Sequence, residues 1–597
     1  MNRTKKLMNT SEAIVDEMID GLLGAHPGIL EPAGSTGRVV RAVNGPRLGK
    51  VGIVVGGGSG HEPAFCGYVG RGLADAAAIG NVFASPSPEP IVEATRAVNG
   101  GAGVLYLYGN YTGDTMNFDM AADEAISAGI DVRSVRVTDD VTSAPAECRS
   151  QRRGIAGDFF VFKVAGAAAD RMAALDEVER LARKANASTA TMGVALSSCS
   201  LPQTRKPNFD LGHDEMEIGM GLHGEPGIRR ARVESADEVT DILLEHVLGE
   251  LHLTAGDRVG VLVNSLGSTT LMELYLLHRR TRQILGDLGV SIHCSYVGEY
   301  ATSLEMAGAS ISLIRLDDEL AALLDHPCHS VTLKVGAPPA PVSVADRLAP
   351  VAAPAPPVAA RSVTRHDGTH RPGGEITPDI FANMIVAASF AVEDHADWLS
   401  ELDGVVGDGD HGVTMGLGWR AVRRAMAERM PDDDIEAICA RIATTFLNAV
   451  GASTGPLYAS AFLAAGVSAA GRDGLDAAAL VAFFEAAARG IEQRGGAVRG
   501  DKTMLDACWP GIDAARLALD EGADVAGCLR AAARGALHGM KATANIAARK
   551  GRTARLGERS FGHIDPGSAS SYLMIEAFRR SFEEQTRDRA EPALRRG

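Results

Sequence analysis

From Val335-Gly336-Ala337-Pro338-Pro339 through Pro354-Ala355-Pro356-Pro357 to Pro372-Gly373-Gly374, the sequence loses hydrophobic periodicity and becomes rich in proline and alanine. Proline has no amide donor and clashes with the preceding helical turn, so this stretch supplies neither strand nor helix to a packed core. It is expected to be a semi-extended interdomain linker, which forces separate units to fold on either side. With 597 residues there is chain enough for about three or four domains, each with its own core. The expected division is 8–336, a linker at 337–375, and 376–585.

Before the linker, short apolar runs such as Val51–Val55, Gly103–Tyr108, Val132–Val137, Val259–Asn264 and Ser310–Leu316 alternate with alanine-rich helical segments. This pattern predicts α/β sheets covered on both faces. A helical stretch over Leu175–Asn186, followed by a fresh strand at Gly193–Leu196, divides the region into lobes of about 8–190 and 191–336. After the linker, strand signals vanish. Segments such as Ile435–Val450, Ala477–Ile491 and Val525–Ala548 repeat apolar residues at i, i+3 and i+4, predicting roughly six to eight amphipathic helices in an all-α bundle or barrel.

A net charge of -16 without any basic stripe argues against a nucleic-acid partner. No apolar run follows Met1-Asn2-Arg3-Thr4-Lys5-Lys6, so neither a signal peptide nor a membrane span is expected, and the default location is the cytoplasm. The eight cysteines lie far apart with no C-x-x-C pair, as expected of buried free thiols and not of zinc ligands or disulfides.

Asp403, Asp408 and Asp410 crowd into eight residues, followed by His411 and Gly412, with no neighbouring positive charge. Two carboxylates about 5 Å apart at an effective dielectric of about 20 repel by roughly 3 kcal/mol, so the group must take up protons or bind a cation. Glycines at 404, 407 and 409 let the backbone bring all three together, and an all-oxygen donor set favours Mg²⁺. A solvated acidic turn is the alternative for such a segment.

Several other loops join this one. Val55-Gly56-Gly57-Gly58-Ser59-Gly60-His61-Glu62-Pro63 follows a strand directly and predicts a glycine-rich turn that binds a small polar ligand through Gly58, Ser59, Gly60 and His61. It lacks the G-x-G-x-x-G spacing of a dinucleotide site, which ranks a nicotinamide oxidoreductase low. Asp114, just past the strand ending at Tyr108, suits either a general base or an N-cap. His223, flanked by glycines and stopped by Pro226, is either a nucleophile toward a ketone carbon or a surface histidine. In the helical region, Gly451–Tyr458, Gly500–Asp506, Lys550–Arg552, Gly557–Ser560 and Gly562–Gly567 are small-residue turns and clustered cations that together describe a nucleotide pocket, with a helix N-cap as the alternative for Gly500–Asp506.

Taken in order, G-G-G-S-G-H-E-P (56–63), N-Y-T-G-D (110–114), G-L-H-G-E-P-G (221–227), G-D-G-D-H-G (407–412), G-A-S-T-G-P-L-Y (451–458), G-D-K-T-M-L-D (500–506) and G-E-R-S through D-P-G (557–567) resemble the single-polypeptide, ATP-dependent dihydroxyacetone kinases over nearly the whole chain. The resemblance implies an α/β ketose-binding region followed by an eight-helix barrel that binds ATP. His223 matches the histidine that holds the ketose as a hemiaminal, and His61 and Asp114 match the substrate-contacting acid/base pair. Two Mg²⁺ ions would be held by Asp403, Asp408 and Asp410, and ATP by loops containing His411, Ser453, Thr454, Gly455, Gly500, Arg552, Asp565, Pro566 and Gly567. A homodimer is expected from the resemblance.

The family usually has lysine just before the N-Y-T-G-D run, where this chain has Gly109. The change removes a cation and opens volume, so a four-carbon ketose such as erythrulose is as good a candidate as dihydroxyacetone, with Tyr108 or Tyr111 filling part of the space. Two rivals are a kinase that draws phosphate from a phosphoprotein of the sugar phosphotransferase type, and a non-catalytic ketose sensor. Both domains on one chain favour free ATP, and the intact aspartates and histidine favour catalysis.

Overall fold

The computed structural model describes residues 4–43, 45–337, 376–407, 409–551, 558 and 560–594. The chain divides into two compact units, one within 1–352 and one within 353–597. The expected linker falls, apart from Ala337, on residues outside the described set.

In the first unit, β1 (Leu30–Ala33), β2 (Val39–Ala42), β3 (Gly52–Ser59), β5 (Ala76–Val82), β6 (Val104–Gly109) and β7 (Val132–Val137) form a sheet in the order β1-β2-β5-β3-β6-β7. The pairs β5-β3, β3-β6 and β6-β7 are parallel, with Val54 opposite Tyr106 and Val55 opposite Leu107. Both β3 and β6 are buried along their whole length, the reason they read as continuous apolar runs. Their parallel pairing brings the residues after each strand, His61 and Asp114 among them, to the same sheet end, where α/β folds keep their ligands.

The glycine turn expected over 56–60 is strand as far as Ser59. Gly57 is needed for close packing, since a side chain there would meet the Phe65 ring at 2.3 Å, and the Ser59 hydroxyl donates to Gly80 O at 2.8 Å. The turn begins at Gly60, whose φ is +94°.

The second sheet runs β10-β9-β8-β13-β11-β12, from β8 (Thr189–Ala195), β9 (Glu215–Ile218), β10 (Arg229–Arg232), β11 (Arg258–Ser265), β12 (Ser291–Gly298) and β13 (Gly308–Leu316). It is antiparallel except between β11 and β12. A short ribbon pairs β4 (Gly70–Arg71), β14 (Cys328–Ser330) and β15 (Lys334–Val335). Helix Asp158–Asp170 packs on β3 and β6, and helix Leu175–Ser188 touches both β7 and β13. One hydrophobic core accordingly runs from Val15 to Leu333 through both lobes. Helix Asp158–Asp170 is buried all round, which its run Phe159-Phe160-Val161-Phe162 anticipates.

The second unit has nine α-helices among the described residues, at Pro378–Asp394, Ala396–Val406, His411–Ala427, Ile435–Ala449, Thr454–Ala469, Ala477–Gly495, Leu505–Asp520, Val525–Ala542 and Pro566–Leu594. Only His395 separates the first two. Side chains of Thr377, Asp434, Asp476 and Asp524 accept from the amide three residues on, fixing four helix starts. Trp419 is fully buried, with ring centroids of Phe446, Tyr458 and Phe462 at 5.6, 6.3 and 6.1 Å. No helix among the described residues is long and apolar enough to cross a membrane, and the eight cysteines are free thiols.

Replacing Trp419 with alanine should destabilise the second unit by about 3–5 kcal/mol. All three tryptophans lie after the linker, so denaturant unfolding followed by the remaining fluorescence of Trp398 and Trp509 reads this unit alone. A loss under about 1 kcal/mol would contradict the central packing role of the indole.

Candidate active site

His61 follows β3, and His223 lies in the connection between β9 and β10, so the two come from different sheets. Their Nε2 atoms are 3.1 Å apart. His61 Nδ1 stands 2.7 Å from Thr302 O, in the β12–β13 connection, and His223 Nδ1 is 3.1 Å from Glu225 Oε1. The rings are close-packed: Phe83 stacks on His61 at 5.0 Å, and Phe83 and Tyr111 meet His223 edge-on at 5.3 and 4.8 Å. His61 is 3% exposed and His223 7%, so neither is the surface histidine that sequence left open.

The hydrogens follow from the partners. A carbonyl oxygen only accepts, so His61 carries its hydrogen on Nδ1 and leaves Nε2 as a lone pair. The hydrogen between the two Nε2 atoms then belongs to His223, whose Nδ1–H also points at a carboxylate. Burial, then the neighbouring His223 charge, lowers His61 to about 3 from its ordinary 6.5, against the raising effects of Thr302 O and Glu225. His61 is therefore a neutral acceptor at ordinary pH.

Asp114 is buried in the first turn of helix Thr112–Ser127, three residues after the N-cap position Tyr111. Gly109 lies directly beneath Tyr111: a side-chain carbon at 109 would be 3.2 Å from the Tyr111 ring. Tyr108 instead stacks on Phe118 at 4.2 Å inside the core on the other face of the sheet. Of the two tyrosines named from sequence, Tyr111 is the one at His223.

Sequence reading missed the residues behind His223. Glu225 Oε2 accepts from His223 N at 3.0 Å, and Asn208 Nδ2 donates to His223 O at 2.9 Å. Arg153 forms an ion pair with Glu225 at 3.6 Å and donates to Asp140 at 2.7–2.8 Å. Only Glu225 lies inside a quoted motif; Arg153 and Asp140 arrive from the segment after β7, and no spacing in the sequence connects them.

In the second unit, Asp403 is buried near the end of helix Ala396–Val406 and accepts from His411 N at 3.2 Å through Oδ2. Asp410 immediately precedes helix His411–Ala427. Asp408 and Arg552 lie outside the described residues, and among the described residues no three ligating groups meet. Two observations suit a cation at Asp403 and Asp410. A side chain on Gly407 would sit 2.3 Å from Asp403 Oδ1, so the turn is kept clear beside a carboxylate. Acid is also in excess: burial first raises Asp565 to about 7, the Ser568 amide lowers it, Asp506 raises it, Lys502 lowers it and Asp403 raises it.

Of the remaining expected nucleotide residues, His411 and Asp565 lie beside Asp403. His411 Nε2 is 3.0 Å from Ser570 Oγ, and Tyr458 Oη is 3.5 Å from the same hydroxyl. Asp565 precedes helix Pro566–Leu594, and a side chain on Gly567 would be 3.2 Å from its Oδ2 and 3.5 Å from Met504. Gly500 donates its N–H to Asp506 Oδ1 at 2.6 Å. Ser453, Thr454 and Gly455 open the helix that carries Tyr458. Lys502 is consumed structurally: buried, it donates to the carbonyls of Ile546, Ser560 and His563 at 2.5–3.2 Å.

Comparison with known proteins adds the following. Residues 20–332 match the Dak1 domain and residues 405–580 the DAK2 domain. The chain is 37% identical to the L-erythrulose 1-kinase of Mycolicibacterium smegmatis, over 96% of this chain and 98% of that protein. It is 50% identical to a dihydroxyacetone-binding subunit DhaK of a PTS-dependent dihydroxyacetone kinase from Listeria innocua, over 55% of this chain and 99% of that one. Its structure aligns with the crystal structure of the dihydroxyacetone kinase from C. freundii in complex with AMP-PNP and Mg²⁺, at 28% identity and a TM-score of 0.51, covering 97% and 100% of the two chains.

Because His61 is lowered on folding, it stabilises the folded state fully above about pH 6.5 and loses that contribution as pH falls toward about 3. The stability difference between wild type and His61→Gln, measured by urea unfolding, should therefore shrink from pH 7 to pH 4. A difference that is constant or grows on acidification would contradict a neutral buried His61.

Proposed function

The chain belongs to the dihydroxyacetone kinase family in its single-polypeptide form, with Dak1 and DAK2 domains together, and from this premise we propose how its own residues carry out the reaction. The protein is an ATP-dependent kinase of a short ketose. The part at 8–336, with lobes of about 8–190 and 191–336, binds the ketose, and the part at 376–585 binds ATP and Mg²⁺.

The observation that carries this reading is the buried Nε2 to Nε2 contact of 3.1 Å. Transfer of its hydrogen to His61 frees a lone pair on His223 Nε2, which forms a bond to the ketone carbon. The carbonyl π electrons move to oxygen, and oxygen takes the hydrogen from His61. Nδ1–H of His223 stays toward Glu225, so a cationic ring faces the carboxylate before and after the step. Glycerol offers no carbonyl for this bond, so the histidine selects ketoses chemically. Asp114 then accepts the proton of the terminal hydroxyl as its oxygen attacks the γ-phosphorus, the bond from that phosphorus to the β,γ-bridging oxygen breaks, and ADP leaves. Gly58, Ser59 and Gly60 border the sugar.

Asp403, Asp408 and Asp410 would hold two Mg²⁺ ions, which when bound neutralise the phosphate oxygens of ATP. His411, Ser453, Thr454, Gly455, Gly500, Arg552, Asp565, Pro566 and Gly567 would line the nucleotide, and the working assembly would be a homodimer. The half-chain relative is named as a subunit of a PTS-dependent kinase. This chain also carries a DAK2 domain, which supports ATP as the direct donor here.

The relative named L-erythrulose 1-kinase supports a four-carbon ketose as substrate. With ATP and purified protein, kcat/KM on erythrulose should equal or exceed that on dihydroxyacetone; a strong preference for the three-carbon sugar would remove the four-carbon reading. Asp403→Asn and Asp410→Asn should each lower kcat by about a hundredfold while leaving the histidine adduct, read by intact mass, in place. Unchanged turnover in both variants would overturn the assignment of the metal site.

A further inference from the structure

We propose that Arg153, held by Asp140 and acting through Glu225, is a positioning residue that keeps His223 turned with Nδ1–H inward and Nε2 toward the sugar. The inference rests on the reading of His223 as the ketose-binding group.

Glu225 is 4% exposed and grips a single residue at two points, ring Nδ1 and backbone N–H. A carboxylate so deeply buried stays ionised only beside a fixed cation. Arg153, 1% exposed, is that cation, at 3.6 Å. Its own fork is locked: Nε and Nη2 both donate to Asp140 Oδ2, while Asp140 Oδ1 accepts from Thr142 N–H and Oγ1–H at 3.1 and 2.8 Å. Burial works against the charge of Arg153, but Asp140 and then Glu225, with Tyr111 beyond them, outweigh it and leave the guanidinium firmly protonated.

Two carboxylates and one guanidinium sum to one negative charge, delivered at Nδ1 of His223, which matches a single imidazolium. Were Glu225 to take a proton, its O–H would donate to Nδ1 and leave the remaining hydrogen of a neutral ring on Nε2, the atom that must attack. The chain keeps the pair clear of side chains: a carbon on Gly221 would lie 2.2 Å from Glu225 Oε2 and 2.4 Å from Arg153 Nη1. The ionisable groups facing this array are His61 across His223, Tyr111 beside Arg153, Asp140 behind it, and buried Asp139 next to Asp140.

The test uses the full chain with [2-¹³C]dihydroxyacetone, whose carbonyl resonance disappears on forming a hemiaminal. Glu225→Gln keeps shape and loses charge; Gly221→Ala keeps every charge and wedges the pair apart; Arg153→Lys keeps charge and loses the fork. The first two should reduce adduct at saturating label by at least about tenfold and shift its pH dependence, with KM for ATP unchanged, and Arg153→Lys should fall between them and wild type. Adduct yield and pH dependence equal to wild type in both Glu225→Gln and Gly221→Ala overturn the positioning role while leaving His223 as the ketose ligand. Turnover by wild type with no labelled adduct at all overturns the reading of His223 itself, and the positioning role with it. If Gly221→Ala does not fold, as thermal melting would reveal, Glu225→Gln alone decides.

Discussion

Two imidazoles whose Nε2 atoms stand 3.1 Å apart, one after a parallel strand of the first sheet and one in a hairpin of the second, fix how the two lobes of the first unit must meet. The contact is buried, so water cannot substitute for a misplaced partner. Thr302 O holds one ring and Glu225 the other, so each ring has a single orientation. Helices Asp158–Asp170 and Leu175–Ser188 supply the rigidity, because one core continues through both lobes. A nucleophile that must reach a small carbonyl carbon needs positional control of this kind, and a loop on a surface would not give it.

Both units concentrate uncompensated charge where the chemistry is placed. In the first, Asp140 and Glu225 flank the single guanidinium of Arg153, and Glu225 also faces Nδ1 of His223. The second gathers Asp403, Asp506 and Asp565 near Lys502, a cation already engaged by three carbonyls. The first array carries its own counter-cation, Arg153. The second gains from an added cation, and a nucleotide kinase with Mg²⁺ requires such a place.

Much of the site was legible before any coordinates. His61, Asp114, His223, Asp403 and His411 all lie in short glycine-bearing segments, and glycine beside a polar residue marks backbone that is shaped for a ligand and not for packing. Not every glycine had that meaning. Gly56 and Gly57 are strand, and Gly57 serves the Phe65 ring, because tight side-chain packing and ligand approach both favour the smallest residue. Tyr108 and Tyr111 were indistinguishable in sequence, since the alternation that turns one into the core and leaves the other at His223 ends where the strand does. Lys502, inside the Gly500–Asp506 turn, is a buried tie between loops.

By itself the sequence determined the two-part architecture, the all-helical character of the second part and the family, because periodicity and ordered motifs are local properties of the chain. Tertiary structure alone decided which nitrogen of each histidine faces the other, that Tyr111 occupies the space at Gly109, and that Arg153 and Asp140 stand behind Glu225. The two histidines are 162 residues apart, and His61 and Thr302 are 241 apart. Hydrogen-bond direction and charge balance in a buried site arise from what is brought together in space, and no spacing along the chain records it.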